Sequence, residues 1–264
     1  MAMRILHSLW GLPCRDDKAK QEVFRWSYAL SAMYVRAHSG TMVLYADALG
    51  REMLSPILHL YDEVHEVDMT GVDPVFFAAI KALALVSEPV GSVHIDGDVM
   101  LKGEKAWQRL QDLMETSEVV AQGFEPERNV YPEIWQFGEW DFGCDVLHRH
   151  PVNVGVLGFS SQELRDIYLA RYLTAVQAWS GKGLTGVPDL VLEQAWLSAY
   201  VRQEGHSMGV MTSGSSWTEI SASAREIGFV HLLGPSKYSY LDRLKLRILE
   251  TAPDIYRLLS DYKG

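Results

Sequence analysis

Apolar and polar positions alternate in two rhythms along the first hundred residues. Residues 3–9 form a short apolar run that reads as a strand, closed by a turn at Gly11 and Pro13. Residues 18–38 place Val23, Trp26, Leu30, Met33 and Tyr34 on one helical face, with a stop at Gly40. A second strand is expected at 41–45, a helix at 48–60 interrupted near Pro56, and a short strand at 64–67. Asp73-Pro74 reads as an N-cap with proline at the first helical position. The helix it opens carries Phe76, Phe77, Ile80, Leu83 and Leu85 and is apolar on most sides. A strand over 91–96 follows. Alternating strands and helices imply parallel strands joined by crossover helices, and hence an α/β fold.

The pattern continues less regularly. A helix is expected at 104–117 and a strand at 118–121, then an irregular stretch at 123–150. A strand at 152–159, a helix at 162–179, a Gly-rich loop at 180–188 and a helix at 189–203 come next. Strands are expected near 207–212 and 227–232, and a final helix at about 238–261. No repeat or linker divides the chain, so one domain is expected over 1–264. Within it, 3–103 forms a regular βα half, 104–237 a less regular second half, and 238–264 the C-terminal helix. The loops at 123–150 and 180–188 are expected to border the substrate cleft.

Composition narrows the chemistry. The net charge of −10 argues against a nucleic-acid binder, which needs a basic face. Two cysteines, Cys14 and Cys144, make neither a disulfide framework nor a four-cysteine zinc site. No run approaches the ~18 apolar residues of a membrane span, and residues 1–10 read as a first strand rather than a signal peptide. A cytoplasmic protein with reduced thiols is the expectation.

The segment Val93-His94-Ile95-Asp96-Gly97-Asp98-Val99-Met100-Leu101 is the strongest chemical signal. An apolar strand ends in two carboxylates one residue apart, which are costly to bury as bare charges. A divalent cation resolves that cost, and Gly97 is expected to let the chain bend so that both acids face one ion. Carboxylate-held metal with open positions suits phosphate oxygens. In a parallel sheet such a site belongs at the carboxyl ends of strands, where these two acids lie. A surface turn is the bland alternative, because Asp-Gly is also a turn signal.

Three further segments follow in order: Asn153-Val154-Gly155-Val156, Glu193-Gln194, and His231-Leu232-Leu233-Gly234-Pro235-Ser236-Lys237. Together with Asp96-Gly97-Asp98 they resemble the retaining glycosyltransferases of family 8. That family has the GT-A fold and uses a nucleotide-sugar donor with Mn²⁺. Its members carry Asp-x-Asp at a strand end, a later Asn-Ala-Gly, an Asp-Gln pair, and a C-terminal His-x-x-Gly-x-x-Lys continued by Pro-Trp. The resemblance implies a GT-A domain with a mostly parallel mixed central sheet flanked by helices. It implies a hexosyltransferase acting on a nucleotide-sugar, with uracil as base, and a carbohydrate or glycan acceptor. By the same resemblance Asp96, Asp98 and His231 hold Mn²⁺ (or Mg²⁺), a mixed N/O set that suits Mn²⁺. Lys81, Asp96, Asn153, Gly155, Gly234 and Lys237 would bind the donor. Glu193 and Gln194 would line the sugar pocket as the catalytic pair. Gln194 is a poor nucleophile, so same-face transfer is expected, with the leaving phosphate oxygen taking the acceptor's proton.

The chain departs from the family's pattern at three places. Tyr238-Ser239 replaces Pro-Trp, Glu193 replaces Asp, and Trp10-Gly11 stands where the family has Asp/Asn-Tyr. Trp10 is either a base-stacking residue or core, with core favoured. Lys81 is the only base on its apolar helix, and a snorkelling surface lysine is the alternative to a donor contact.

Other residues carry weaker signals. His148 and His150 after Cys144 fall short of a zinc set. Glu139, Asp141 and Asp145 either face the acceptor or are solvated. His94 shares a strand face with Asp96, as a supporting residue or a core histidine. Residues 238–264 carry five basic and four acidic residues, too balanced for an anionic membrane, so the last helix is expected to pack on the domain. Two other functions compete: a non-catalytic nucleotide-sugar binder, and a haloacid-dehalogenase-type phosphatase. In the phosphatase the Asp-x-Asp ends the first strand, whereas here three strands precede it.

Overall fold

The structure is a computed structural model that describes residues 3–38, 40–126, 131–146, 150–234 and 236–262. Its centre is a seven-stranded sheet in the order β3-β2-β1-β4-β7-β6-β8. The strands are β1 (Arg4–Leu9), β2 (Thr41–Ala46), β3 (Glu63–Glu66), β4 (Val93–Ile95), β6 (Val119–Phe124), β7 (Val152–Phe159) and β8 (Met208–Val210). A separate two-stranded sheet pairs β5 (Val99–Leu101) with β9 (Phe229–His231). The strands β1–β4 run parallel; β7 is antiparallel to both β4 and β6, and β6 is parallel to β8. This is a single α/β domain with a mostly parallel mixed sheet, and both halves of the chain contribute to it.

Helices cover both faces, as buried strands require. All eight residues of β7 are buried, so its side chains pack on both sides. The helices α1 (Lys18–Arg36) and α4 (Glu104–Thr116) cover one face. The helices α3 (Ala79–Ser87) and α5 (Gln162–Trp179) cover the other. Short α2 (Ala48–Met53) follows β2, and its N-cap Asp47 accepts from Gly50 N–H at 2.8 Å. The same oxygen accepts from Gly11 N–H at 2.7 Å, which ties the ends of β1 and β2 together. After Leu54 the chain tightens into a 3₁₀ segment, Ser55–Leu60, at the expected proline break. Trp10 is buried in the core, so of its two readings the core one holds.

Several elements differ from the sequence pattern. Asp73-Pro74 opens a series of turns, not a helix; Asp73 O accepts from Phe76 N–H, and α3 starts only at Ala79. The helix expected at 189–203 has three parts: α6 (Pro188–Leu190), a π-helical turn (Val191–Trp196) and α7 (Leu197–Gln203). A helix not foreseen, α8 (Trp217–Ile227), is capped by Ser216, which accepts from Glu219 N–H, and ends at Gly228 in the left-handed region (φ +79°). The C-terminal helix is three pieces: α9 (Ser236–Ser239), α10 (Leu241–Thr251) and α11 (Pro253–Asp261). Pro253 lacks the N–H needed to continue α10 and starts α11 instead. Leu244, Ile248 and Leu259 are buried against the domain, with α10 packed on α1. Among the described residues, no helix is long and apolar enough to cross a membrane.

Gly97 has a role other than backbone freedom. Its φ is not positive, and a Cβ there would lie 2.1 Å from the Tyr28 ring. Tyr28 is itself fixed, because its hydroxyl donates to Ser8 O at 2.5 Å. Gly97→Ala is therefore expected to lower stability by about 1–3 kcal/mol through overpacking. A urea unfolding midpoint equal to wild type would show that the turn relaxes freely.

Candidate active site

The fold gathers the predicted residues at the carboxyl end of β4. The chain leaves β4 with Asp96 N–H donating to Gly155 O (2.8 Å) and turns tightly, with Val99 N–H donating to Asp96 O (2.9 Å). It then enters β5, which pairs with β9 in the register Val99↔His231. Leu232 N–H donates to Asp98 O at 3.0 Å and extends the pairing. Asp96, Asp98 and His231 each offer a ligand atom, all within 4.8 Å of one another.

The imidazole is oriented from behind. His231 Nδ1 lies 2.6 Å from Gln122 Oε1. With a carbonyl as partner, Nδ1 is the donor in that bond, which leaves Nε2 as the nitrogen turned toward Asp98. Nε2 lies 3.3 Å from Asp98 Oδ1, and the two atoms flank one gap. A cation between them satisfies both, and a hydrogen-bonded second ring nitrogen is the usual support for a metal-binding histidine. The residues present therefore fit a divalent ion. Gln122 is aimed by an irregularity in the β6–β7 register between Ala121 and Gly123. Gly155 leaves room for the pair: a Cβ there would lie 2.5 Å from Gln122 Oε1 and 2.7 Å from His231 Cε1.

Lys81 is buried, which corrects the snorkelling alternative. Its Nζ lies 2.9 Å from Asp96 Oδ1 and 2.6 Å from Glu193 Oε1, and donates to Val154 O at 3.0 Å. Three oxygens replace its water. Burial works against the ammonium, yet Asp96 and Glu193 together hold its pKa above the ordinary lysine value. For Glu193 burial is the larger influence and raises the carboxyl, with Lys81 opposing. Asp98 shows the reverse balance: despite burial, His231 and Lys237 hold its carboxyl well below the usual range. Lys237 Nζ lies 2.7 Å from Asp98 Oδ2 and 5.0 Å from the Phe24 ring centroid. Gly234, three residues before it, adopts φ +53°.

The remaining predicted residues are nearby. Asn153 Oδ1 accepts from Gly155 N–H at 3.0 Å, so its carbonyl is used within the strand. Glu193 and Gln194 sit on the π-helical turn, a rare feature often found at functional sites. The Tyr168 hydroxyl reaches Leu192 O and Glu193 O, both at 3.1 Å. Gln194 Oε1 lies 2.7 Å from the Tyr131 hydroxyl. His94 is buried, with Nε2 2.8 Å from Ser8 Oγ and Nδ1 3.5 Å from Asp96 Oδ1, and burial keeps it neutral.

Other acidic and histidine groups do not join this site. Glu63, His65 and Glu88 also cluster, but Arg4 already pairs with both glutamates. His148 lies outside the described residues. A cavity of about 360 Å³ is walled by Trp140, Asp141, Arg171 and Trp196; it includes Asp141, one of the acids considered as an acceptor contact, and lies apart from Asp96, Asp98 and His231.

Sequence reasoning missed Gln122, Tyr131 and Asp189. Asp189 is fully buried; its carboxylate accepts from the Tyr172 hydroxyl and from Ala78 N–H at the start of α3. It supplies the cap that α3 lacks and ties α3, with Lys81, to the helix bearing Glu193. Only its place after Pro188, at a helix start, hinted at capping.

The fold is that of GT-A glycosyltransferases. Galactosyltransferase LgtC, solved with donor and acceptor sugar analogs, matches with TM-score 0.58 and 8% identity, over 99% of this chain and 97% of that one. An active-site mutant of LgtC matches with TM-score 0.56 and 11% identity, over 97% and 100%. The bifunctional glycosyltransferase WbbM matches with TM-score 0.55 and 10% identity, over 97% of this chain and 51% of that one. At such identities the likeness establishes the fold. By sequence, the chain belongs to DUF6734, a family of unknown function, over residues 3–262. No curated protein matches it in sequence.

Burial, then the charge of Glu193, pushes the Asp189 carboxyl up to about 7. A carboxyl raised on folding is protonated in both states below about pH 4. Between there and about pH 7 the unfolded chain has lost a proton that the folded one keeps, so this group's contribution falls as pH rises. The buried His7 and His94, whose pKa values are lowered, act with opposite sign, so the comparison is between proteins. Relative to Asp189→Asn, wild-type unfolding free energy is expected to decline from pH 4 to pH 7. Parallel curves for the two proteins would contradict the burial argument.

Proposed function

We propose that this protein transfers a sugar from a nucleotide-sugar, with UDP as the expected carrier, to a carbohydrate or glycan acceptor with retention of configuration. One observation carries the reading. The β5–β9 register brings His231 to the two carboxylates that end β4, in a GT-A fold.

Asp96, Asp98 and His231 would hold Mn²⁺, or Mg²⁺. When bound, the ion neutralises charge gathering on the departing diphosphate. Lys237 adds a point charge to the same phosphates, and the backbone at Gly234 lets N–H groups approach them. Lys81, Asn153 and Gly155 line the donor side. Glu193 is already paired with Lys81 at 2.6 Å, and Gln194 is a neutral amide; neither is an available nucleophile. Covalent double displacement through them is therefore disfavoured. In same-face transfer the donor's carbon–oxygen bond to phosphate breaks, the acceptor oxygen bonds to that carbon, and its proton passes to the leaving phosphate oxygen. The protein then has only to orient, charge-balance and exclude water.

Incubation with Mn²⁺ and a panel of UDP-hexoses, following UDP release, tests the proposal. Release is expected to depend on the metal, to stop with EDTA, and to fall by roughly 10²–10³-fold in Asp98→Ala. Thermal stabilisation by a UDP-sugar without release favours the non-catalytic binder. Neither effect with any donor contradicts the reading.

A further inference from the structure

Tyr131 stands between two acceptors. Its hydroxyl oxygen lies 2.7 Å from Gln194 Oε1 and 3.0 Å from Glu125 Oε2. Burial first, and then the Glu125 charge, raises the phenol's pKa well above its ordinary value, so the oxygen carries its single proton. A phenol with one proton donates to one partner. The Glu125 carboxylate can only accept, and a charge-assisted bond is the stronger of the two. The proton goes to Glu125. The shorter contact, at 2.7 Å, then needs a hydrogen from Gln194 itself.

An amide's oxygen and nitrogen share one outline, so hydrogen-bond accounting decides which end is which. Turned over, Gln194 Nε2 donates to Tyr131 and the carbonyl oxygen takes the outer position. Among the described residues no group bonds to that outer position, and it is not sealed from solvent. Gln194 sits on the buried π-helical turn beside Glu193, whose carboxylate is paired with Lys81.

We infer that Tyr131, held by Glu125, is a positioning residue that turns the carbonyl oxygen of Gln194 toward the open side of the site. Its catalytic consequence rests on the proposed sugar transfer. A fixed carbonyl dipole stabilises positive charge on the sugar carbon as phosphate departs, whereas an amide N–H₂ at the same place opposes it. Glu125 follows the last residue of β6, and Tyr131 precedes the 3₁₀ turn Pro132–Phe137. These two residues, at the end of β6 and at the start of that turn, would thereby set the polarity of a side chain in the site.

The test reads the amide directly and does not depend on turnover. With glutamine side chains labelled with ¹⁵N, the Gln194 signal is assigned by its loss in Gln194→Glu. One wild-type Gln194 amide proton is expected to show an Overhauser contact to the Tyr131 ring. It should also exchange with solvent roughly fivefold more slowly than in Tyr131→Phe. Both protons exchanging like those of an exposed glutamine, with no ring contact, would overturn the orientation. For the transfer reaction, Tyr131→Phe is expected to lower kcat by roughly tenfold with little change in KM for the donor. An unchanged kcat beside an active wild type would overturn the positioning role. If even wild type turns over no donor, the transfer reading fails, while the exchange measurement still decides the orientation.

Discussion

Two strands of three residues each, Val99–Leu101 and Phe229–His231, hold this site together. They are far apart in sequence, and neither belongs to the main sheet. Their antiparallel register sets His231 opposite Val99, one residue past Asp98. A slip of one residue would turn the imidazole to the other face, because strand side chains alternate. The pairing therefore decides whether the two acids at the end of β4 have a third partner. It also anchors the turn that carries Gly234 and the short helix that returns Lys237 to Asp98.

Charge organises the rest. Lys81 reaches from a helix that is otherwise apolar and is shared by Asp96 and Glu193. On the other side Asp98 is shared by His231 and Lys237. Buried ions are tolerated where partners replace their water, and here each half of the site supplies them. Asp189 adds a further buried carboxyl, raised to about 7, that fixes the lysine's helix against the turn bearing Glu193. Fully paired groups of this kind hold a geometry rigidly, which is what a site built on orientation needs.

Much of this was legible in the sequence because it is written in local patterns. The β–α alternation announces parallel strands, and the two acids at a strand end mark where the candidate site is sought. The spacing of His231, Gly234 and Lys237 is specific enough to suggest where the chain returns. The β5–β9 pairing was not legible, since three-residue strands carry too little periodicity to identify. The helix at 217–227 has a local signal in Ser216 and Glu219, the spacing of a capping box. Gln122 and Tyr131 had no signal at all. Their roles come from a bulge and a loop, and depend on what faces them across the fold. Gly97 was legible as a special position, but for a different reason: the Tyr28 ring, distant in sequence, fills the space of its Cβ.

Asp96, Asp98 and His231 are proposed to form one cation site whose imidazole is aimed by Gln122 across Gly155. Mn²⁺ binding to the wild type and to Gly155→Ala, followed by paramagnetic resonance, tests it most directly. The variant keeps all three ligands but sets a methyl group against His231 and Gln122. One saturable Mn²⁺ per wild-type chain is expected, with affinity lower by roughly 10–100-fold in a Gly155→Ala protein that is still folded. Equal Mn²⁺ affinity in the two proteins, or no saturable binding to the wild type, would contradict it.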